Sequence, residues 1–114
     1  MGLATSSSLK LMNAVLNKLQ IQSYFSATVS AQNMTYGKPH PKVFLVCAKQ
    51  LKINPNNCLV IEDSVNGIIA AKAAKMKVIA VPDAEHFNIK KFAIADYKFK
   101  NMAKALSTIK RLIN

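Results

Sequence analysis

Three short clusters hold the residues best equipped for chemistry. Thr5-Ser6-Ser7 offers hydroxyls and backbone N–H groups, Lys38 in Gly37-Lys38-Pro39-His40-Pro41 offers a cation, and Glu62-Asp63 offers two adjacent carboxylates. A phosphate group is held by such donors and by positive charge. A magnesium ion asks for hard oxygen ligands such as carboxylates. Together the clusters have the composition of a metal-assisted phosphate site. Each also has a plainer reading. Thr5 or Ser7 caps a helix, Lys38 is a solvated surface lysine, and Asp63-Ser64 caps whatever helix follows. Glu62-Asp63 resists the plain reading most, because two carboxylates at the end of a buried strand lose hydration unless they are paired or metal-bound. They are also two of only five acidic residues in the chain. Gly67 has no helix-propensity rationale and suits the close approach of a ligand or a strand. His40 reads as a loop residue, His86 receives no role, and Cys47 and Cys58 read as core.

The elements that must position these clusters follow from periodicity. Residues 1–4 are apolar and form a first strand. Leu9, Met12, Leu16 and Leu19 share one helical face, which predicts a helix over about 8–20. Residues 25–30 read as a strand. Two prolines flank His40, and Pro41 suits a first helical position. Phe44, Cys47, Ala48 and Leu51 then predict a helix over about 41–52, closed by the Asn54-Pro55-Asn56-Asn57 turn. Cys58-Leu59-Val60-Ile61 and Val78-Ile79-Ala80-Val81 are continuous apolar runs, the pattern of parallel strands covered on both faces. Between them a helix is expected over about 64–76, with Val65, Ile68, Ile69, Ala73 and Met76 inward. Residues 83–95 read as irregular or weakly helical. Tyr97-Lys98-Phe99 reads as a last strand, and Met102, Leu106, Ile109 and Ile113 as the inward face of a terminal helix. Strands alternating with helices predict an α/β fold with a parallel sheet. In such folds ligands bind at the carboxyl ends of the strands, which is where all three clusters fall.

At 114 residues the chain is one domain at most, and its 51% apolar content is enough for a core. Its formal net charge of +11 raises nucleic-acid binding as an option. That option ranks last: fifteen of the sixteen basic residues are Lys, Arg111 is the single Arg, and there is no Trp. The lysines are scattered between apolar positions, as on solvated helix faces. No apolar run approaches the ~18 residues of a membrane span, and no basic-then-apolar leader opens the sequence. Two cysteines make no disulfide framework. No nucleic-acid or membrane partner is expected, and the cytoplasm is the expected compartment.

Leu3-Ala4-Thr5-Ser6-Ser7, Gly37-Lys38-Pro39-His40-Pro41 and Val60-Ile61-Glu62-Asp63-Ser64-Val65-Asn66-Gly67 resemble the second, third and fourth motifs of the haloacid dehalogenase superfamily. Within it, KPHP and IEDSVNGIIAAKAA are similar to the beta-phosphoglucomutase-like group, and most of all to its 2-deoxyglucose-6-phosphate and hexitol-phosphate phosphatases. The resemblance covers nearly the whole chain, and three motifs in order carry far more weight than one. It implies a Rossmann-like three-layer α/β/α sandwich and Mg²⁺-dependent hydrolysis of a small phosphosugar. A phosphosugar mutase of the beta-phosphoglucomutase type is the alternative, and a non-catalytic remnant that binds phosphate and Mg²⁺ is another. By position, Thr5 and the Ser6 N–H would bind the transferring phosphoryl group. Lys38 would neutralise its charge, and Ser7 would meet the sugar or a second phosphate. Asp63 would bind Mg²⁺, with Glu62 as a second or water-mediated ligand.

The family's first motif, D-x-D-G-x-x-x-[TV], does not occur, so the nucleophilic Asp and the acid–base Asp it supplies are missing, as is the helical cap that selects the substrate. Residues 1–114 are therefore expected to be the C-terminal portion of such a core, inactive alone. The central strand between those carrying Thr5 and Glu62-Asp63 should be absent, leaving a slot that its own N-terminal half would fill.

Overall fold

Helix starts follow the hydroxyl residues. In the computed structural model, which describes residues 1–113, Ser8 caps α1 (Leu9–Leu19) by accepting from Leu11 N at 3.1 Å. Ser64 caps α3 (Val65–Ala73) by accepting from Gly67 N at 3.0 Å. Pro41 precedes α2 (Lys42–Leu51), and its carbonyl accepts from Phe44 N and Leu45 N. These helices alternate with β1 (Gly2–Thr5), β2 (Ala27–Ser30), β3 (Leu59–Glu62), β4 (Lys77–Ala80) and β5 (Tyr97–Lys98), and α4 (Met102–Ile113) follows. Residues 83–95 contain one 3₁₀ segment, Lys90–Ile94.

Every strand pair is parallel: β1 with β2, β3 with β4, and β4 with β5. The strands form two separate sheets, β1-β2 and β3-β4-β5, and β1 and β3 do not pair among the described residues. In a parallel ladder alternate residues turn their N–H and C=O to one side. Met1 O accepts from Ser26 N and Thr5 O from Ala31 N, so the odd residues of β1 face β2. Gly2 and Ala4 therefore face away from it. Cys58 O accepts from Lys77 N and Glu62 O from Val81 N, which turns Leu59 and Ile61 away from β4. The expected slot lies between these two edges, with no strand paired to either among the described residues. Ile61 on the β3 edge is 42% exposed, and edge groups open to solvent cost less than buried unpaired ones.

The core lies between the strands and the α2–α3 layer: Val43, Phe44, Cys47 and Ala48 from α2, Ile68, Ala70 and Ala71 from α3, and Val29, Val60, Val78 and Ala80 from the strands. Gly2 lies against α2, where a Cβ would collide with Cys47 Sγ and Leu51. Leu3 lines a 210 Å³ groove with Leu11, Met12, Val15 and Leu16, so α1 covers the opposite face of β1. Layers on both sides of parallel strands are the three-layer α/β arrangement expected.

Side-chain placement departs from expectation in three helices. In α3, Ile69 is 39% exposed and Ala73 is exposed, whereas Gly67, Ile68, Ala70 and Ala71 are buried. The small residues let α3 approach the sheet closely. The helix also ends at Ala73, because Lys75 takes a left-handed conformation with φ 66°, so Met76 is buried outside helical register. In α1, Met12 and Leu16 are buried but Leu9 and Leu19 are exposed, as are Leu11 and Val15. In α4, Ala105 is buried while Met102 and Leu106 are about half exposed; Ile109 is half-buried, and the Ile113 side chain lies outside the described residues. Cys58 is half-buried rather than fully in the core.

Candidate active site

The carboxyl ends of β1 and β3 converge, and Lys38 crosses between them. Its Nζ lies 2.7 Å from Glu62 Oε1 and 3.4 Å from the Ala4 carbonyl, one of the groups that face away from β2. Lys38 thus joins the two sheets at one end of the slot. The Lys38 and Glu62 side chains are only 12% and 10% exposed, so this ion pair is little screened. The Lys38 ammonium also sits 4.9 Å from the Phe44 ring centre, which holds its stem against the α2 layer. The loop that supplies Lys38 has a cis Lys38–Pro39 bond, and Tyr36 stacks on His40 with ring centres 5.2 Å apart. His40 Nδ1 accepts from Lys42 N, so this imidazole shapes the loop.

The β1–α1 loop is fixed by the Thr5 hydroxyl and by side chains at the end of β2. Thr5 Oγ1 accepts from Ser7 N at 3.1 Å, Ser30 Oγ donates to Ser7 O at 2.6 Å, and Gln32 Oε1 accepts from Leu9 N. Ser8 does the helix capping, which leaves the Thr5 proton free to be donated. Ser6 N has no protein partner among the described residues.

Glu62 spends both oxygens. Oε1 takes Lys38, and Oε2 accepts from Ser64 N at 3.2 Å and Ser64 Oγ at 2.9 Å. Gly67 lies directly over this carboxylate: a Cβ there would overlap its atoms, which explains a glycine in the first turn of α3. Asp63, by contrast, is exposed and accepts no hydrogen bond from the protein among the described residues. Asp63 is the free carboxylate, and Glu62, with both oxygens engaged by protein donors, would reach a magnesium ion only through a remaining lone pair or a water; the ion usually takes one or two carboxylates and completes its shell with water and phosphate. No group of three or more His, Cys, Asp or Glu stands together among the described residues, so the Asp63–Glu62 pair would hold such an ion only with further ligands.

Thr5, Ser6, Ser7, Lys38, Glu62 and Asp63 line one cavity of about 670 Å³. Ser64, Val65, Asn66, Ile89 and Lys91 complete its wall. Ile89 and Lys91 escaped the sequence reading. They lie in the 83–95 segment, which shows no helical or strand period, yet that segment follows the carboxyl end of β4. The strand-end rule applied to β4 as well as to β1–β3 would have flagged it.

A family model described as haloacid dehalogenase-like hydrolase matches residues 1–81. Hexitol phosphatase B of Escherichia coli K12 is 44% identical over 101 residues, covering 89% of this chain and 46% of that protein. Fructose-1-phosphate phosphatase YqaB of Escherichia coli K12 is 38% identical over 81 residues, covering 71% of this chain and 43% of that protein. A crystal structure of beta-phosphoglucomutase from Clostridium difficile superposes with a TM-score of 0.78 at 34% identity, over 99% of this chain and 48% of that one. The chain thus spans about half the length of the relatives it matches. With the three motifs gathered at the carboxyl ends of parallel strands, and with the family model matching most of the chain, the protein belongs to the haloacid dehalogenase-like hydrolase family.

Proposed function

We propose that residues 1–114 are the C-terminal portion of the core of a Mg²⁺-dependent phosphatase acting on a small sugar phosphate. The observation that carries this reading is the Lys38 ammonium, held between the ends of β1 and β3 in the same cavity as Thr5, Ser6 and Asp63. In this reading the Thr5 hydroxyl and the Ser6 N–H donate to the phosphoryl oxygens. Lys38 offsets the charge that builds on them in the transition state, and Glu62 with Ser64 keeps the ammonium on station. Asp63 is the first ligand for Mg²⁺, with Glu62 behind it; the ion, when bound, adds charge neutralisation at the phosphate. No residue of this chain supplies the nucleophilic carboxylate. That group comes from the N-terminal half, as an apolar strand that pairs with Gly2 and Ala4 on one side and Leu59 and Ile61 on the other. The likeness to hexitol and fructose-1-phosphate phosphatases supports a phosphosugar substrate.

The purified chain should therefore show no Mg²⁺-dependent release of phosphate from hexitol or hexose phosphates. It should still bind glucose 6-phosphate saturably in the presence of Mg²⁺, shifting the Ser6 and Ser7 amide resonances, and Thr5→Val should weaken that binding about tenfold, the loss of one hydrogen bond to a charged group. Turnover by the chain alone would overturn the need for an external carboxylate. A folded chain with no saturable binding would overturn the phosphate site. The likeness to beta-phosphoglucomutase keeps a mutase as the second reading; with the N-terminal half supplied, formation of an isomeric sugar phosphate instead of inorganic phosphate would select it.

A further inference from the structure

We propose that His40 is a positioning residue for Lys38, its imidazole Nδ1 fastening the loop that carries the lysine to the first turn of α2. The consequence for ligand binding rests on the phosphate-site reading above. Glu62 and the Ala4 carbonyl hold the tip of Lys38, but its backbone lies in residues 37–41, outside every strand and helix. An ammonium at the end of a flexible stem keeps its place only where the Cα is held as well. The first N–H groups of a helix have no partner inside it. At the start of α2, Pro41 brings no side-chain acceptor and the first turn no carboxylate. Lys42 N instead donates to His40 Nδ1 at 3.1 Å, a bond that asks for the neutral ring with its proton on Nε2.

The same residue grips the other side of the loop. His40 N donates to Gly37 O at 2.9 Å, a turn that encloses Lys38 and Pro39. Its ring stacks on Tyr36 with planes 21° apart, which sets the direction of Nδ1. On the α2 side, Val43 and Phe44 are buried, so the start of the helix is fixed to the core. The circuit closes where the Lys38 ammonium returns to α2, over the Phe44 ring. His40 thus sets the distance between the Lys38 backbone and the helix on which its side chain rests. The turn to Gly37 O uses backbone alone and survives a change of side chain, so the Nδ1 bond is the part that mutation removes. A misplaced charge at a binding site loses much of its effect over a shift of about 1 Å.

The test is NMR of the full chain, first free and then titrated with glucose 6-phosphate in Mg²⁺. Protons over an aromatic face resonate upfield, so the Lys38 ε-methylene shift reports its seat on Phe44 without any ligand. His40→Ala should move that shift toward the value of a solvated lysine and weaken glucose 6-phosphate binding about threefold, the loss of one exposed hydrogen bond. His40→Asn, whose Oδ1 stands close to the place of Nδ1, should restore both. His40→Gln, which carries its acceptor farther out, should not, and the Asn–Gln comparison serves alone where His40→Ala does not fold. A folded His40→Ala chain with the wild-type Lys38 shift, or a His40→Asn chain no better than His40→Gln, would overturn the role of His40. A Lys38 shift that follows His40 in a folded chain with no saturable glucose 6-phosphate binding would overturn the phosphate-site reading and leave the placement of Lys38 by His40 standing.

Discussion

Glu62 is the residue on which the site turns, because both of its oxygens are engaged. Lys38 and Ser64 already hold it, and Gly67 leaves it the space to sit there. A methyl group on Gly67 meets the far end of a flexible side chain, so Glu62 moves rather than the backbone. Gly67→Ala should therefore spare the fold and damage the site. Helix propensity even favours Ala by about 1 kcal/mol, which offsets the lost contacts. The expected outcome is a melting temperature within a few degrees of wild type, with glucose 6-phosphate binding in Mg²⁺ weakened about tenfold as Lys38 loses its charge-assisted partner. Calorimetric melting and isothermal titration check both halves; unchanged binding would show that Glu62 does not position Lys38. The sequence made the glycine and the carboxylate legible as separate oddities. Their contact was not legible, since it depends on how sharply the chain turns between β3 and α3. The commitment of Glu62 to Lys38 was equally hidden, because the two residues are 24 positions apart and meet only where the fold brings the ends of the two sheets together.

At the scale of elements, strand and helix order was readable because each buried strand is a continuous apolar run and each helix begins after a capping or turn residue, Ser8, Pro41, Ser64 or Asn101. What could not be read was how wide a face each helix buries. That depends on neighbours, and α1 and α4 keep Leu9, Leu19, Met102 and Leu106 exposed where period alone promised a covered stripe. The short β5 shows how a two-residue strand is held by other means. Asp96 accepts from the buried Val78 N at 2.8 Å and from Lys72 Nζ at 3.0 Å, fastening β5 to β4 and to α3. Desolvation pushes the Asp96 carboxyl upward, but the Val78 N–H bond and the Lys72 ammonium outweigh it and hold the group below the usual aspartate value. A depressed carboxylate stabilises the fold above its unfolded-state pKa, and the contribution disappears as the pH falls through the lower folded-state value. Asp96→Ala should cost about 1–2 kcal/mol at neutral pH, mostly through the orphaned Val78 N–H. Lys72 is 40% exposed, and its ion pair adds little after screening. Urea melts across the acid range should show the pH-dependent part of the difference vanish once wild-type Asp96 is protonated. A constant gap at every pH would assign the whole effect to packing.

For the molecule as a whole, the divided sheet and the charge belong together. A chain of net charge +11 presents a solvent-open slot whose walls are the outward-facing backbone groups of Gly2 and Ala4 on β1 and of Leu59 and Ile61 on β3. Beside it runs the apolar groove of Leu3, Leu11 and Val15. Unpaired parallel edges are templates for another strand, and the positive field attracts an acidic one. Hydrogen exchange on the isolated chain distinguishes an empty slot from a filled one. Val60 and Val78 lie in paired, buried strands and should exchange slowest, whereas the Ala4, Leu59 and Ile61 amides should exchange as open edges do, with little protection. Adding a peptide with an apolar strand that ends in an acidic Asp-x-Asp segment should protect those three amides together and raise the melting temperature with peptide concentration, as any ligand of the native state does. A scrambled peptide of the same composition should do neither. Sedimentation closes the remaining route, because pairing between copies protects the same amides only as the chain sediments above one subunit. Strong protection of Ala4 and Ile61 in a monomer without peptide would mean that the two sheets close on each other in solution, and the proposal of a strand supplied from the N-terminal half would fall.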